Sequence, residues 1–408
     1  MTGRFSFVDD WLLRGIRSVA GNPAVRIDLE SRAGPLPGPA ILYRDRAALV
    51  RSILEGECGF GEGYAAGRIR VDGDLVTALE EIYRRRQAAR AQTWIESALQ
   101  RTLLFLHQNS RSGSRRNIHR HYDIGTEFYR LWLDRDLVYT CAYFDEPEMT
   151  LEAAQQAKMD LVCRKLHLRP GERVVEAGCG WGSLALYMAR NYGVIVRAYN
   201  ISADQVAWAQ ERVRREGLAG RVEFVEDDYR NIEGRYDVFV SVGMLEHVGA
   251  SHYADLGRAI HGALGNGGRG LLHFIGRDHP EPLSAWINER IFPGAYAPTL
   301  AESLPLLERS EYAVLDVENL RPHYTRTLEH WLERYERVYP AVAKQFGEEF
   351  ARAWRLYLAG SVAAFRANTL QLFQVVFAGR ECVRLVWSRK ELYARPLEAP
   401  CAAATFSL

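Results

Sequence analysis

Gly178, Gly180 and Gly182 stand between a short apolar run, Arg173–Val174–Val175, and a stretch from Ser183 to Arg190 whose apolar residues recur at helical spacing. A strand-to-helix turn of this kind can seat a ligand for a physical reason. Glycine takes positive φ and lets a ligand approach the backbone, while the helix that follows points free N–H groups at polar ligand atoms. Glu176 adds a carboxylate at the strand end. The spacing is tighter than the G-x-G-x-x-G pattern of dinucleotide sites, so no bulky phosphate has to be cradled. By itself the turn is equally readable as a plain βα connection. A second cluster lies upstream, where Tyr139, Thr140, Cys141, Tyr143 and Phe144 form a stretch too polar and irregular for a plain strand and suited to walling a pocket.

The elements that must position these residues follow in regular alternation. The pattern predicts strand 173–177, helix 183–190, strand 194–199, helix 203–216, strand 222–225, strand 236–242, helix 253–264 and strand 269–275. This βαβα order predicts an open, mostly parallel α/β sheet, with ligands at the carboxyl ends of its strands. Those ends fall at 176–182, 199–202, 227–229, 243–249 and 273–276, and each carries polar side chains. Thr150 is placed to cap a helix running to about Leu166, ahead of Pro170–Gly171.

Composition narrows the classes. A chain of 408 residues fits two domains, or one large domain with an appendage. A formal net charge of +1 gives no global field toward nucleic acid or membrane, so any such attraction must be local. Lysine occurs only at 158, 165, 344 and 390, and arginine supplies the remaining positive charge. The cysteines at 58, 141, 163, 179, 382 and 401 form no C-x-x-C pair and have no histidines at zinc spacing, which reads as reduced thiols and no metal site. The first residues lack the apolar core of a signal peptide, and no run reaches the roughly 18 apolar residues of a membrane span, so a cytoplasmic protein is expected.

In the N-terminal third a helix is expected over residues 5–20, a strand over 25–29, a loop from Gly34 to Pro39 and a helix from Arg46 to Glu55. Gly59 to Gly67 reads as a glycine-rich turn leading into an edge strand at 69–74, the whole making a small α+β accessory domain. Between Arg84 and Arg120 nine arginines face one acid, Glu96, around an amphipathic stretch that includes Trp94, Leu99 and Leu103. That pattern suits a patch for anionic headgroups and suits an interdomain helix equally well. Residues 277–360 are rich in prolines and aromatics and read as a cap forming a channel, with strands near 313–320 and 375–387 completing the sheet.

With these residues in view, the chain resembles S-adenosylmethionine-dependent methyltransferases through Leu166 to Gly171, Val174 to Gly182, Asn200 to Ser202, Asp228 to Arg230 and Met244 to Gly249. More narrowly it is similar to the cyclopropane fatty acid synthase family. Asn117 to Asp123, Tyr139 to Phe144, Leu272 to Gly276, Trp286 to Asn288, Ile291 to Pro293, His323–Tyr324, Phe365 to Phe377, Gly59 to Tyr64 and Val71 to Leu75 carry that likeness along almost the whole chain. The resemblance implies a Rossmann-like class I methyltransferase α/β doubly wound sheet with a helical cap insertion, plus a small α+β N-terminal domain. The expected division is an accessory domain at 1–107, a catalytic domain at 108–396 with the cap at about 277–360, and a tail at 397–408.

What the resemblance implies for the site is specific. S-adenosylmethionine is expected against Tyr139, Thr140, Glu176, Gly178, Gly180, Gly182, Asn200, Ser202, Gln205, Asp228 and Tyr229. Asn200 stands where many relatives of this fold carry a ribose-binding acid, and it could hydrogen-bond a hydroxyl instead. A bound bicarbonate is implied as base, held by the Cys141 backbone, Glu246, His273, the Ile275 backbone and Tyr324, with Glu246 orienting the histidine or sharing a proton. Singly, each has an ordinary reading: Cys141 as packing, His273 as a core histidine, Glu246 as a helix cap, Tyr324 as surface. The implied activity is transfer of a methylene carbon to the cis double bond of an unsaturated phospholipid acyl chain, through a carbocation that loses a proton. A lipid C-methyltransferase giving methyl-branched chains, or a small-amine N-methyltransferase, is the alternative. The expected partners are a phospholipid membrane surface, met peripherally from the cytoplasm, and a second copy in a homodimer, with no nucleic acid.

Overall fold

The computed structural model describes residues 3–21, 23–32, 38–90, 124–383 and 388–393. The expected domain boundary at 107, the basic stretch beyond residue 90, the Asn117–Asp123 motif and the 397–408 tail lie outside the described residues.

The N-terminal part opens with a helix, Gly3–Val19, and builds a three-stranded sheet from β1 (Arg26–Leu29), β2 (Ala40–Tyr43) and β3 (Ile69–Asp72). β2 lies in the middle, parallel to β1 and antiparallel to β3. The glycine-rich stretch expected as a turn is instead a helix, Glu57–Ala65. Its glycines are close-approach positions. A Cβ on Gly59 would stand 2.3 Å from the Arg51 carbonyl oxygen, one on Gly61 2.5 Å from the Trp286 ring, and one on Gly63 2.6 Å from Ile69. Packing against three neighbours overrides the poor helix propensity of glycine.

The larger sheet has seven strands: β4 (Arg173–Ala177), β5 (Ile195–Asn200), β6 (Val222–Glu226), β7 (Val238–Val242), β8 (Arg269–Gly276), β9 (Tyr312–Asn319) and β10 (Gln371–Gly379). Their order is β6-β5-β4-β7-β8-β10-β9. The first five are parallel, and β10 runs antiparallel to β8 and β9. Val174 and Val175 point to opposite faces of β4 and both are fully buried, as expected for a strand covered by helices on both sides. The strand order reverses between β4 and β7, so the crevice above that point is where a ligand fits. Thr150 caps the helix Leu151–Lys165 by accepting from the Ala153 N–H at 3.2 Å.

Beyond β8, short helices at Ala285–Arg290, Leu300–Ser303 and Pro305–Glu308 precede the edge strand β9. Two long helices follow, Arg321–Phe346 and Glu348–Arg366, turning at Gly347, where φ is 91°. The second packs on the helices Glu57–Ala65 and Leu75–Arg90 of the N-terminal part. One apolar core therefore runs from Leu12 and Leu49 through Trp132, Trp331 and Trp354 to Phe365.

Candidate active site

Four features meet at the switch point: the glycine turn after β4, the irregular segment 138–144, the β5 end and the β7 end. They line a solvent-open cleft. Tyr139, Thr140, Glu176, Gly178, Gly180, Asn200, Gln205, Asp228 and Tyr229 line it, bringing together nine of the eleven residues expected against the donor. Gly182 and Ser202 are not on its wall. Gly182 has φ 83°, and its missing Cβ would stand 2.4 Å from the Phe224 ring, so it serves the packing of the turn on β6. Ser202 is the N-cap of the helix Ala203–Arg215. Gly180 is the open position, with nothing within 4 Å of where a Cβ would be.

Asn200 does more inside the chain than its expected contact with a hydroxyl requires. Its side-chain nitrogen donates to the Gly180 carbonyl at 3.2 Å and to Gln205 Oε1 at 2.8 Å, and its oxygen accepts from the Ser202 N–H at 3.3 Å. It thereby ties the glycine turn to the next strand end. Gln155 pins the facing segment by donating to the Thr140 carbonyl at 2.9 Å.

Lys158 is the residue that sequence reasoning missed. It lines the cleft, is 1% exposed, and donates to Thr140 Oγ1 at 3.0 Å. Burial pushes its ammonium down to about 8. Glu176 on β4 is also buried, and desolvation raises its carboxyl to about 8, with the Lys158 charge opposing. Its Oε2 has no hydrogen-bond partner among the described residues. The signal was in the composition: lysines 158 and 165 stand seven residues apart on one helix face of an arginine-rich chain, and both are buried.

None of the five residues expected around an anion is on the cleft wall, although Cys141 follows Thr140 and Glu246 precedes His247, both of which are. Glu246 is in the turn of helix Leu245–Val248, and its Oε1 accepts the Ile275 N–H at 2.6 Å. Burial raises the Glu246 carboxyl to about 7, with that hydrogen bond opposing. The Ile275 backbone, expected to hold an anion, is thus already engaged by Glu246. His273 stands two residues earlier on β8, and its carbonyl accepts from the N–H of Gly243, a residue of the cleft wall, at 2.8 Å. Glu246 is hydrogen-bonded to Ile275 and does not orient the imidazole; Gln374 does, with its Nε2 3.0 Å from His273 Nδ1. Burial holds His273 well below its ordinary 6.5, and the charges of Lys158 and Lys165 add to that. Glu246 Oε2 and His273 Nε2 are buried with no hydrogen-bond partner among the described residues.

Cys141 is fully buried and its thiol, held well up by burial, donates to the Ala142 carbonyl at 3.1 Å. Tyr324, on the helix Arg321–Phe346, packs edge-on to Trp331 and against Phe365. Cys141 and Tyr324 share one apolar cluster, and Ile275 packs against it. Chemically, the arrangement sets, near a cleft lined by polar and charged side chains, a buried carboxylate oxygen and a buried imidazole nitrogen that have no hydrogen-bond partner among the described residues.

Comparisons with known proteins place the chain in a family. The family model described as Mycolic acid cyclopropane synthetase matches residues 109–375. A "Probable fatty acid methyltransferase" of Pseudomonas putida is 33% identical over 380 residues, covering 88% of this chain and 93% of that one. The "Cyclopropane-fatty-acyl-phospholipid synthase" of Escherichia coli K12 is 41% identical over 261 residues, 63% of this chain and 66% of that one. Among solved structures, the cyclopropane synthase MmaA2 from Mycobacterium tuberculosis superposes with a TM-score of 0.62 at 30% identity, covering 65% of this chain and 98% of that one. The mycolic acid cyclopropane synthase CmaA1, complexed with SAH and CTAB, matches with the same TM-score and identity, over 64% of this chain and 97% of that one. A parallel sheet with its cleft at the β4/β7 reversal, an ordered set of motifs around it and a family match over most of the chain lead to one conclusion: this chain belongs to the mycolic acid cyclopropane synthetase family of S-adenosylmethionine-dependent methyltransferases.

Proposed function

We propose that this enzyme is a cyclopropane-fatty-acyl-phospholipid synthase, adding a methylene carbon to the cis double bond of unsaturated phospholipid acyl chains. The observation that carries this reading is the pair of buried, unpartnered polar atoms, Glu246 Oε2 and His273 Nε2, beside the donor cleft. An apolar acyl chain gives them nothing to bond. A small anion with both acceptor and donor oxygens does, and leaving such atoms unsatisfied costs roughly 1–3 kcal/mol each.

The residues present fit the methyl donor as well. The open face of Gly180 admits a ligand to the backbone, and the unpartnered Glu176 Oε2 can accept from an ammonium group. Bound there, S-adenosylmethionine supplies an electrophilic methyl carbon. The chain's own part is to position the reactants, exclude water and hold the proton acceptor. Tyr139, on the cleft wall, is held by packing against Tyr129, Trp132 and Trp331, and its ring is the aromatic group we assign to face a cation on the acyl chain. Glu246, His273, Tyr324 and the Cys141 backbone are the groups that would hold bicarbonate in this reading, and a bicarbonate bound there would supply a proton acceptor. Glu246 and His273 would hold it against water.

A second reading is favoured by the Pseudomonas putida relative, whose match extends over 88% of the chain and whose description is a fatty acid methyltransferase. In that reading the same transfer ends in a methylated, open-chain product. Lipid mass spectrometry after incubation with S-adenosylmethionine and monounsaturated phosphatidylethanolamine vesicles separates the two. We expect a gain of one CH₂ unit in a product resistant to alkene hydrogenation. The same mass on a product that still hydrogenates would establish the methylated alkene, and no mass gain would remove both.

No helix among the described residues is long and apolar enough to cross a membrane. The substrate therefore implies peripheral contact with the inner face of the membrane, with the basic stretch at 84–120 as the contact and a homodimer as the working form. Replacing Arg115 and Arg116 by glutamine is expected to weaken binding to anionic vesicles at low salt and to matter little at high salt. Unchanged vesicle sedimentation at low salt would rule out that contact.

A further inference from the structure

His273, Gln374 and Glu318 form one row across the sheet. Gln374 on β10 pairs in register with His273 on β8 on one side and with Glu318 on β9 on the other. Gln374 is fully buried and His273 is 2% exposed, so both are shielded from bulk solvent. Lys165 enters this row from the helix Leu151–Lys165 and bonds both Glu318 and Gln374, the latter at 2.7 Å to Oε1.

The direction of each bond follows from what each group can do. An ammonium has three donors and no acceptor, so the Gln374 oxygen must face Lys165. The amide nitrogen then faces His273 Nδ1 at 3.0 Å, and an NH₂ group only donates. Nδ1 must therefore present its lone pair, and the ring proton sits on Nε2. The lysine is itself anchored, because Glu318 holds it with one oxygen side and accepts from Tyr393 Oη at 2.8 Å with Oε1.

We infer that Lys165 and Gln374 are positioning residues that lock His273 as a neutral imidazole with its proton on Nε2, the ring nitrogen that has no partner among the described residues. The consequence for the reaction rests on the function proposed above. An Nε2 that already carries hydrogen donates to a bound oxygen and does not take a proton from the acyl chain. Proton acceptance falls to the group His273 holds, not to His273.

Ring-¹⁵N NMR of the full-length, ¹⁵N-histidine-labelled protein reads this directly, with His273 assigned by the signals lost in His273→Gln. We expect a protonated-type shift for Nε2 and a lone-pair-type shift for Nδ1 at neutral pH. In Gln374→Glu the new carboxylate accepts where the amide donated, so Nδ1 should become protonated. Turnover should fall about 10–100-fold, by analogy with the loss of outer-shell partners of metal-ligating histidines, with donor affinity retained. An Nδ1–H tautomer or an imidazolium in the wild-type protein overturns the inference, as does an unchanged ring pattern in a folded Gln374→Glu variant. The wild-type spectrum decides even if the variant does not fold. It needs neither donor nor lipid, so an enzyme inactive on phospholipid would sink the proposed reaction without touching the tautomer.

Discussion

Glu246 divides its two oxygens between structure and chemistry. Oε1 holds the Ile275 N–H, while Oε2 remains buried and unpartnered among the described residues. Glu246→Gln keeps the size of the side chain, so we expect donor affinity by calorimetry to be unchanged and turnover to fall about 10²–10⁴-fold, the scale of a lost acid–base group. Loss of donor binding together with turnover would place Glu246 in the wrong site. Glu176 carries a pH prediction. Its carboxyl is raised from 4.5 to about 8 by burial, so the folded state holds its proton more tightly than the unfolded state. Its contribution to stability is therefore present below pH 4.5 and lost as pH rises from 4.5 to about 8. Denaturant midpoints across that window should fall with pH in the wild type and fall less in Glu176→Gln. Parallel curves for the two proteins would show that the carboxyl is not the titrating group.

At the scale of elements, the helix Glu57–Ala65 shows how glycine can mean contact and not a turn. Alternating glycines with few strong helix formers read locally as a loop, yet Gly61 lies under the Trp286 ring, whose Nε1 donates to Glu62 at 2.9 Å. That contact joins the N-terminal part to the short helix after β8. Gly61→Val should push Trp286 aside and lower stability by about 1–3 kcal/mol, as overpacking does. A chemical-denaturation midpoint matching the wild type would mean that the ring moves freely. The helix Leu151–Lys165 works on two sites at once. One face delivers Lys158 to the donor cleft and, two turns later, Lys165 to the row behind His273.

For the whole molecule, the N-terminal part is built into the core and not tethered beside it. The helices Glu57–Ala65 and Leu75–Arg90 lie on Glu348–Arg366, and the cluster they share reaches Trp354 and Tyr357, where Tyr357 Oη meets Tyr139 Oη of the cleft wall at 2.7 Å. Deleting residues 1–90 uncovers that helix face. We expect the truncated protein to aggregate or to melt at a clearly lower temperature, and to lose turnover along with it. A truncated protein of unchanged melting temperature and full activity would show that the catalytic part stands alone.

Much of the fold could be read from the sequence because it rests on local signals. The β4 valines, the glycine turn, the Thr150 cap and the helix at 253–264 follow from periodicity and capping, which need only neighbours in the chain. The motifs likewise pointed to the strand ends, and nine of the eleven residues expected against the donor line one cleft. Tertiary structure decided the rest, because the deciding contacts span long separations. Gly182 and Ser202 turned out to serve packing and capping, and the glycine helix leaves no room for a Cβ at Gly59, Gly61 and Gly63 because Arg51, Trp286 and Ile69 come close to it. Lys158 became a site residue only when the 138–140 segment folded over it. The role of His273 depends on Gln374, 101 residues away, and on Lys165, 209 residues from that glutamine. No local pattern encodes which way a buried amide faces; the strand register and one buried ammonium do.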